Sequence, residues 1–297
     1  MRTIKIAFHN ILYFGKPTNI DHFFLKMHYI KKHFNFVLSN NPDFIISNRV
    51  IKPGRYKRIY YNPENVRPPI GRADWLFGPD YQSMIKNPKY FRQPNIVKLG
   101  VGSNLIEVKK SLDVEKTIRS KTKFCAFIFG HNVGIRNKFF DMLSKYKRVD
   151  SPGGCRNNMP FIGNYNNARA SRFAHDFYTQ KVNFIKPYKF VVAFENSSYP
   201  GYISEKLTDP MLVNSIPIYW GNPLIHKDFN PKSFIHPYGE NLKENEILDY
   251  LMDLVIKIDK DDDLYAKYLL EPWYNDNKLP GFLDPAQIID RYRKVFA

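Results

Sequence analysis

Phe190-Val191-Val192-Ala193-Phe194-Glu195-Asn196-Ser197-Ser198-Tyr199-Pro200-Gly201-Tyr202-Ile203-Ser204-Glu205-Lys206-Leu207 decides the fold. Five apolar residues in a row, two of them valine, read as a strand buried on both faces. The strand empties into a polar turn containing Gly201, and Ser204-Glu205-Lys206 opens an amphipathic helix expected over 204–213. A buried strand, a turn and a helix make half of a βαβ unit, which implies a parallel sheet. Working outward, the same alternation recurs. Strands are expected at Ile4–Phe8, Phe44–Ser47, Arg58–Tyr61, Trp75–Gly78, Phe124–Phe129 and Ile216–Trp220. Helices are expected at Asp21–His33, Ile135–Tyr146, Asn241–Ile258 and Pro285–Phe296. In the second of these, Phe139, Met142, Leu143 and Tyr146 share one face. In the last, Asp284 suits the N-cap and Pro285 the first turn. The charged segment Ser103–Thr122 has no strand signal and interrupts the alternation. The expected architecture is therefore α/β, with Rossmann-like domains over 1–117 and 118–280 and a terminal helix over 281–297 placed to pack back on the first. Two such domains facing one another leave a central cleft at the carboxyl ends of their strands, where these sheets bind ligands.

The composition narrows the function. The 297 residues are 43% hydrophobic and 16% aromatic, enough for a real core and incompatible with wholesale disorder. No run of eighteen apolar residues offers a membrane span. The opening Met1–Phe8 turns polar too soon for a signal peptide and reads as a first strand. Cys125 and Cys155 cannot alone build a disulfide framework or a zinc site, so a cytoplasmic, reducing compartment is expected. The net charge of +17 attracts anions: nucleic acid, an anionic membrane face or a phosphorylated small molecule. The basic residues are spread along the chain, which argues against a dedicated nucleic-acid tail.

Three segments carry candidate chemistry. Phe129-Gly130-His131-Asn132-Val133-Gly134-Ile135-Arg136-Asn137 ends a strand, turns on two glycines and starts a helix with Arg136 in its first turn. Open amide groups there and a permanently charged guanidinium suit a phosphate, although an ordinary turn with a solvated arginine explains the same residues. Glu205 and Lys206 lie at the strand-end position of a nucleotide sugar, the carboxylate for sugar hydroxyls and the ammonium for a diphosphate. Helix capping explains Ser204 and Glu205 but not Lys206, which the helix dipole disfavours at that end. In Tyr60-Tyr61-Asn62-Pro63-Glu64-Asn65-Val66-Arg67-Pro68-Pro69, one carboxylate sits in a stiff, proline-rich loop, a place for a general base or for a plain surface turn. Three other features carry less. Asp261-Asp262-Asp263 fits a D-x-D metal pattern but lies where a helix starts, His131 is a lone histidine, and Gly100-Val101-Gly102 lacks a following helix pattern.

Taken together, Phe194-Glu195-Asn196-Ser197, Gly201-Tyr202-Ile203-Ser204-Glu205-Lys206 and Ile216-Pro217-Ile218-Tyr219-Trp220-Gly221 resemble the signature of the α1,3/4-fucosyltransferases of glycosyltransferase family 10. The resemblance continues in Gly134-Ile135-Arg136-Asn137, Tyr61-Asn62-Pro63-Glu64-Asn65 and Lys227-Asp228-Phe229-Asn230-Pro231-Lys232-Ser233-Phe234. It implies the GT-B arrangement, an acceptor-binding first domain and a second domain that binds GDP-fucose. It implies inverting transfer of L-fucose to O3 or O4 of GlcNAc in a glycan such as N-acetyllactosamine. Glu64 matches the proposed general base. Arg136, Asn196, Tyr202, Glu205 and Lys206 match positions that hold the donor. The resemblance implies no metal requirement, a divalent cation being at most stimulatory. It is to the soluble bacterial-type members, since the Golgi members carry an anchor and disulfides. Heptad repeats, and oligomers built on them, are not implied by the ending Arg291-Tyr292-Arg293-Lys294-Val295-Phe296-Ala297.

Two other readings compete: a GT-B transferase with a different nucleotide-sugar donor, and a basic nucleic-acid-binding protein. The first differs only in the choice of sugar. The second is opposed by the buried look of the Phe- and Val-rich strands and by the lack of any nucleic-acid motif. The charge also suits peripheral contact with an anionic membrane face bearing lipid-linked acceptors.

Overall fold

The structure, a computed structural model, describes residues 3–13, 16–24, 27–100, 102–172, 174–237 and 242–297. The expected element starts at Met1 and Asn241, the residues Leu25 and Lys26 of the expected first helix, and Val101 of the Gly-x-Gly lie outside these. The chain forms two compact units. The first comprises Met1–Ser103, Tyr199–Glu205 and Leu279–Ala297, and the second Asn104–Ser198 and Lys206–Lys278.

The sheet of the first unit has six parallel strands, in the order Asn35–Leu38, Thr3–His9, Phe44–Ser47, Lys57–Tyr61, Trp75–Gly78, Tyr90–Arg92. Ile4, Ile6, Ile46, Ile59, Leu76 and Phe77 are all buried. The helix Pro285–Val295 closes this core from the far end of the chain. Asp284 Oδ1 caps it by accepting from Ala286 N at 2.9 Å. Its Tyr292 stacks on Phe77 with ring centres 5.4 Å apart, and Gln93 Nε2 donates to the Tyr292 hydroxyl at 3.2 Å. The expected helix Asp21–His33 is instead two short pieces, Ile20–Phe23 and His28–Lys31, with Met27 in a non-helical conformation between them.

The second unit has four parallel strands in the order Val149–Asp150, Lys123–Ala126, Tyr188–Phe194, Ile216–Trp220. Phe190, Val192 and Phe194 join one core cluster with Phe139 and Leu143 of the helix Gly134–Tyr146 and Leu248, Leu251 and Val255 of the helix Glu244–Lys260. Val191 joins the cluster on the opposite face with Ala126 and Ile185. Burial on both faces is why this strand must be apolar without alternation.

The division between units differs from the expected cut at 117/118. It falls after Ser103, because the charged segment forms the helices Gly102–Lys110 and Val114–Ser120. Leu105 is fully buried, and Leu112, Val114 and Ile118 pack on the second core. Charged residues between these apolar positions mask their helical spacing. The glycine pair at 100 and 102 is thus followed by a helix after all. The signature itself is also divided, Phe194–Ser198 folding with the second unit and Tyr199–Glu205 with the first.

Candidate functional site

In the second unit the strand order reverses direction between Lys123–Ala126 and Tyr188–Phe194, and the crevice outside their carboxyl ends is the binding position of such a sheet. Arg136, in the first turn of the helix Gly134–Tyr146, reaches across to the end of the strand Tyr188–Phe194. It is only 1% exposed. Its Nε and Nη2 donate to Phe194 O at 3.2 and 2.7 Å, and Nη2 also donates to Asn196 Oδ1 at 2.8 Å. The guanidinium lies 4.2 Å from the centre of the Phe129 ring. A buried cation costs free energy unless its hydrogens are matched, and a carbonyl, an amide and a π face supply that matching here. A Cβ at Gly134 would meet nothing within 4 Å, so that side of the helix start is open.

Glu195, the first residue after the strand, is completely buried. Its N–H donates to Trp220 O at 2.7 Å, and its Oε2 faces Lys206 Nζ at 3.3 Å. A Cβ on Gly221 would stand 2.5 Å from Glu195 Cγ, so glycine is required for the carboxylate to reach this place. Tyr219 OH accepts from Asn222 N at 2.9 Å and ties down the turn that follows. The arrangement is a fixed guanidinium and a lysine on a buried carboxylate, at the carboxyl ends of one sheet. Such a set can orient and neutralise a diphosphate.

In the first unit Glu64 follows the strand Lys57–Tyr61. Its N–H donates to Asn62 Oδ1 at 3.1 Å, the short Asx-type turn that an asparagine two residues upstream makes possible. The side chain is exposed, and its Oε2 accepts from the Tyr202 hydroxyl at 3.1 Å. Tyr202 is 2% exposed and is delivered by Gly201, whose φ is +92°. A Cβ at Gly201 would sit 2.4 Å from Pro79 O, so both conformation and space demand glycine. Arg67 braces the same loop. It bonds Asp80 and Asn65, and its guanidinium lies 3.2 Å from the centre of the Tyr199 ring. Asp80 is fully buried.

The structure thus joins Arg136 with Asn196 and Lys206 with Glu195 in one unit, and Glu64 with Tyr202 in the other. Glu205 is half-buried at the start of the helix Glu205–Leu212. Two expected donor-site residues have more specific surroundings than the sequence implied. Nε and Nη2 of Arg136 are engaged with Phe194 O and Asn196, and Tyr202 bonds the carboxylate of Glu64. Glu195, Arg67 and Asp80 were not singled out from the sequence. A carboxylate abutting a wholly apolar strand, as in Phe194-Glu195, is the signal that could have found the first. Of the lesser candidates, Asp261 is a helix N-cap, its Oδ1 accepting from Leu264 N at 2.8 Å. Among the described residues no group of three His, Cys, Asp or Glu side chains is gathered to hold a metal. Cys125 and Cys155 are both buried and unbridged.

Known proteins are similar to this chain in sequence and in fold. Residues 118–284 match the family model described as glycosyltransferase family 10 (fucosyltransferase) C-term. A putative fucosyltransferase of Acanthamoeba polyphaga mimivirus is 36% identical over 197 residues, covering 65% of this chain and 31% of the viral protein. The α-(1,3)-fucosyltransferase FucT of Helicobacter pylori is 26% identical over 263 residues, covering 75% of this chain and 51% of that enzyme. The chain therefore spans about a third to a half of the length of these two relatives. A crystal structure of an α1,3-fucosyltransferase with GDP-fucose superposes with a TM-score of 0.76 at 23% identity, covering 99% of this chain and 90% of the other. The fold is the expected α/β fold of the GT-B fucosyltransferases. The chain belongs to glycosyltransferase family 10, the fucosyltransferases.

Proposed function

We propose that the chain transfers L-fucose from GDP-fucose to O3 or O4 of a GlcNAc residue in an acceptor glycan such as N-acetyllactosamine, with inversion at the anomeric carbon. The observation that carries this reading is the carboxylate of Glu64, held through Oε2 by Tyr202. That hydrogen bond fixes the orientation of the carboxylate and leaves Oε1 to take a proton from the acceptor hydroxyl. The first unit is then the acceptor domain, and the second binds the donor.

Inversion needs a single in-line displacement. The acceptor oxygen bonds to the anomeric carbon of fucose as the bond to the β-phosphate oxygen breaks, GDP leaves, and Glu64 gains the proton. Charge grows on the departing diphosphate. Arg136 and Lys206 stabilise it from fixed positions, so little reorganisation is needed at the moment of reaction. Asn196 keeps the guanidinium in place, and Glu205 accepts hydrogen bonds from sugar hydroxyls. No metal enters this scheme as a requirement, and a divalent cation acts at most as a stimulant. The reading extends to a lipid-linked acceptor and a cytoplasmic enzyme touching an anionic membrane face. Among the described residues no helix is long and apolar enough to cross a membrane.

The test is twofold. Thermal unfolding of the chain with GDP-fucose, GDP-mannose, UDP-galactose and ATP, with and without EDTA, should rise most for GDP-fucose and be insensitive to the chelator. A ligand at about 100 times its Kd adds roughly 2.7 kcal/mol, an easily seen shift. Glu64→Ala should lose on the order of 10²–10³ in turnover while still binding donor. A fully active Glu64→Ala protein would remove that residue from the mechanism.

A further inference from the structure

The catalytic proposal uses only the carboxyl ends of the strands. The opposite end of the sheet in the first unit holds a cavity of about 640 Å³. It is formed where Phe44, Lys57 and Trp75 begin their strands and where Lys89 precedes the next. All of these strands run parallel, so Glu64 lies beyond their other ends, roughly 16 Å away along a five-residue strand.

Its lining is strongly cationic. Arg55, Lys57, Arg58, Lys89 and Lys294 face two acidic side chains, Asp43 and Asp74, and the terminal residue Ala297 completes the wall. Both carboxylates are already engaged. Asp74 accepts from Arg58 N at 2.7 Å and Arg58 Nε at 3.1 Å, and Asp43 Oδ2 accepts from Lys5 N at 3.0 Å. The Arg58–Asp74 pair is therefore neutral as a unit. Among the described residues, Arg55, Lys57, Lys89 and Lys294 form no salt bridge, Lys57 reaching Asp74 only as a through-space charge. Against these four exposed cations the cavity sets only the charge of Asp43, an excess of positive charge that a bound anion would offset. Two half-buried rings, Tyr56 and Trp75, form part of the wall, Trp75 being fixed by stacking on Phe91 at 5.7 Å.

We propose that this cavity is a phosphate-binding site separate from the transfer chemistry. Lysine and arginine side chains converge on the phosphate oxygens, and the rings cover the apolar part of whatever carries the phosphate. The phosphate could be carried in solution or on a lipid headgroup, and the chemistry of the cavity is the same for both.

The test uses the whole chain with GDP in excess, comparing wild type with Lys57→Glu/Lys89→Glu. One arm is calorimetric titration with inorganic pyrophosphate. The other is co-sedimentation with phosphatidylglycerol–phosphatidylcholine vesicles. The expected result is binding that is about tenfold weaker or more in the variant, with a shallower dependence on salt. A loss confined to pyrophosphate assigns a soluble phosphate, and a loss confined to vesicles assigns the headgroup. Equal binding by both proteins, or no binding of either probe to wild type, overturns the site. If the double variant does not fold, Arg55→Gln, an exposed position, gives the same comparison with one charge removed. Neither substitution touches the groups assigned to transfer, so unchanged fucosyl transfer separates failure of this site from failure of the catalytic reading on which the GDP block rests.

Discussion

The carboxyl ends of the two sheets carry their acids in opposite ways. Glu195 extends directly from a buried strand, is fully buried and is ion-paired to Lys206 at 3.3 Å. Glu64 sits in an exposed Asx turn and is steadied by one tyrosine hydroxyl. A group that must exchange a proton with an incoming hydroxyl gains from exposure. A group that must hold a cation against a fixed diphosphate gains from burial, where its charge is least screened. On the proposed function, the two environments would suit the same side-chain type to two different tasks.

Removing each acid should separate the two tasks. Glu195→Ala removes the buried carboxylate that faces Lys206 and should cost about 3 kcal/mol of stability, the low end for breaking a buried pair because Lys206 is partly exposed. It should weaken donor binding as well. Glu64→Ala should leave stability within about 0.5 kcal/mol while removing turnover. Denaturant unfolding and donor titration of both variants measure this. Equal stability loss in the two would erase the distinction.

The next effect concerns how Tyr202 reaches Glu64. Gly201→Ala places a methyl against Pro79 O in a left-handed conformation and should cost about 2 kcal/mol, with a fall in kcat as Tyr202 is displaced. Tyr202→Phe removes only the hydroxyl. It should lower kcat and leave stability nearly unchanged, because the carboxylate of Glu64 loses the bond that orients it. An unaltered kcat would show that the tyrosine does not act on the base. Smaller again, Arg67→Ala loosens the loop and should lower kcat about tenfold at constant donor affinity. Partial rescue by Arg67→Lys would assign the effect to the Asp80 bond, and its absence to the planar stack on Tyr199.

Much of this was legible in the chain. The strands Phe44–Ser47, Trp75–Gly78 and Ile216–Trp220 are where the apolar runs place them, because buried parallel strands must be continuously apolar. Short strands such as Asn35–Leu38 and Tyr90–Arg92 have too few residues to show a pattern. The helices at 102–120 were hidden by charge, although Leu105 is buried. The assignment of Tyr199–Glu205 to the first unit depends on Gly201 meeting Pro79, a contact between residues far apart in sequence. The Tyr202–Glu64 pairing was invisible for the same reason, whereas Glu195 and Lys206 stand in one motif and their pairing depends on how the turn between them folds.

The last effect is one of pH, modest at pH 5.5, and it tests whether burial of ionisable groups in the second unit carries a stability cost. His236 is 6% exposed beside Phe234, and its Nδ1 hydrogen donates to Pro237 O at 3.1 Å. Burial is the main cause that lowers its pKa, to about 4. The Pro237 carbonyl opposes the shift, and the charge of His226 adds to it. The unfolded chain, with an ordinary histidine near 6.5, binds a proton between these values that the folded chain refuses. Stability should therefore fall as pH drops below about 6.5 and stop falling below about 4, with a loss near pH 5.5 of about 1 kcal/mol. Replacing His236 with Asn should flatten that part of the curve even if it lowers the plateau. Hydrogen exchange in the strand Ile216–Trp220, one residue of which bridges to Ile235, should speed up over the same pH window, relative to the intrinsic rates, while exchange in Lys57–Tyr61 stays slow. A flat stability curve from pH 7 to 5 in the wild type would mean that the histidine takes its proton without leaving the folded state.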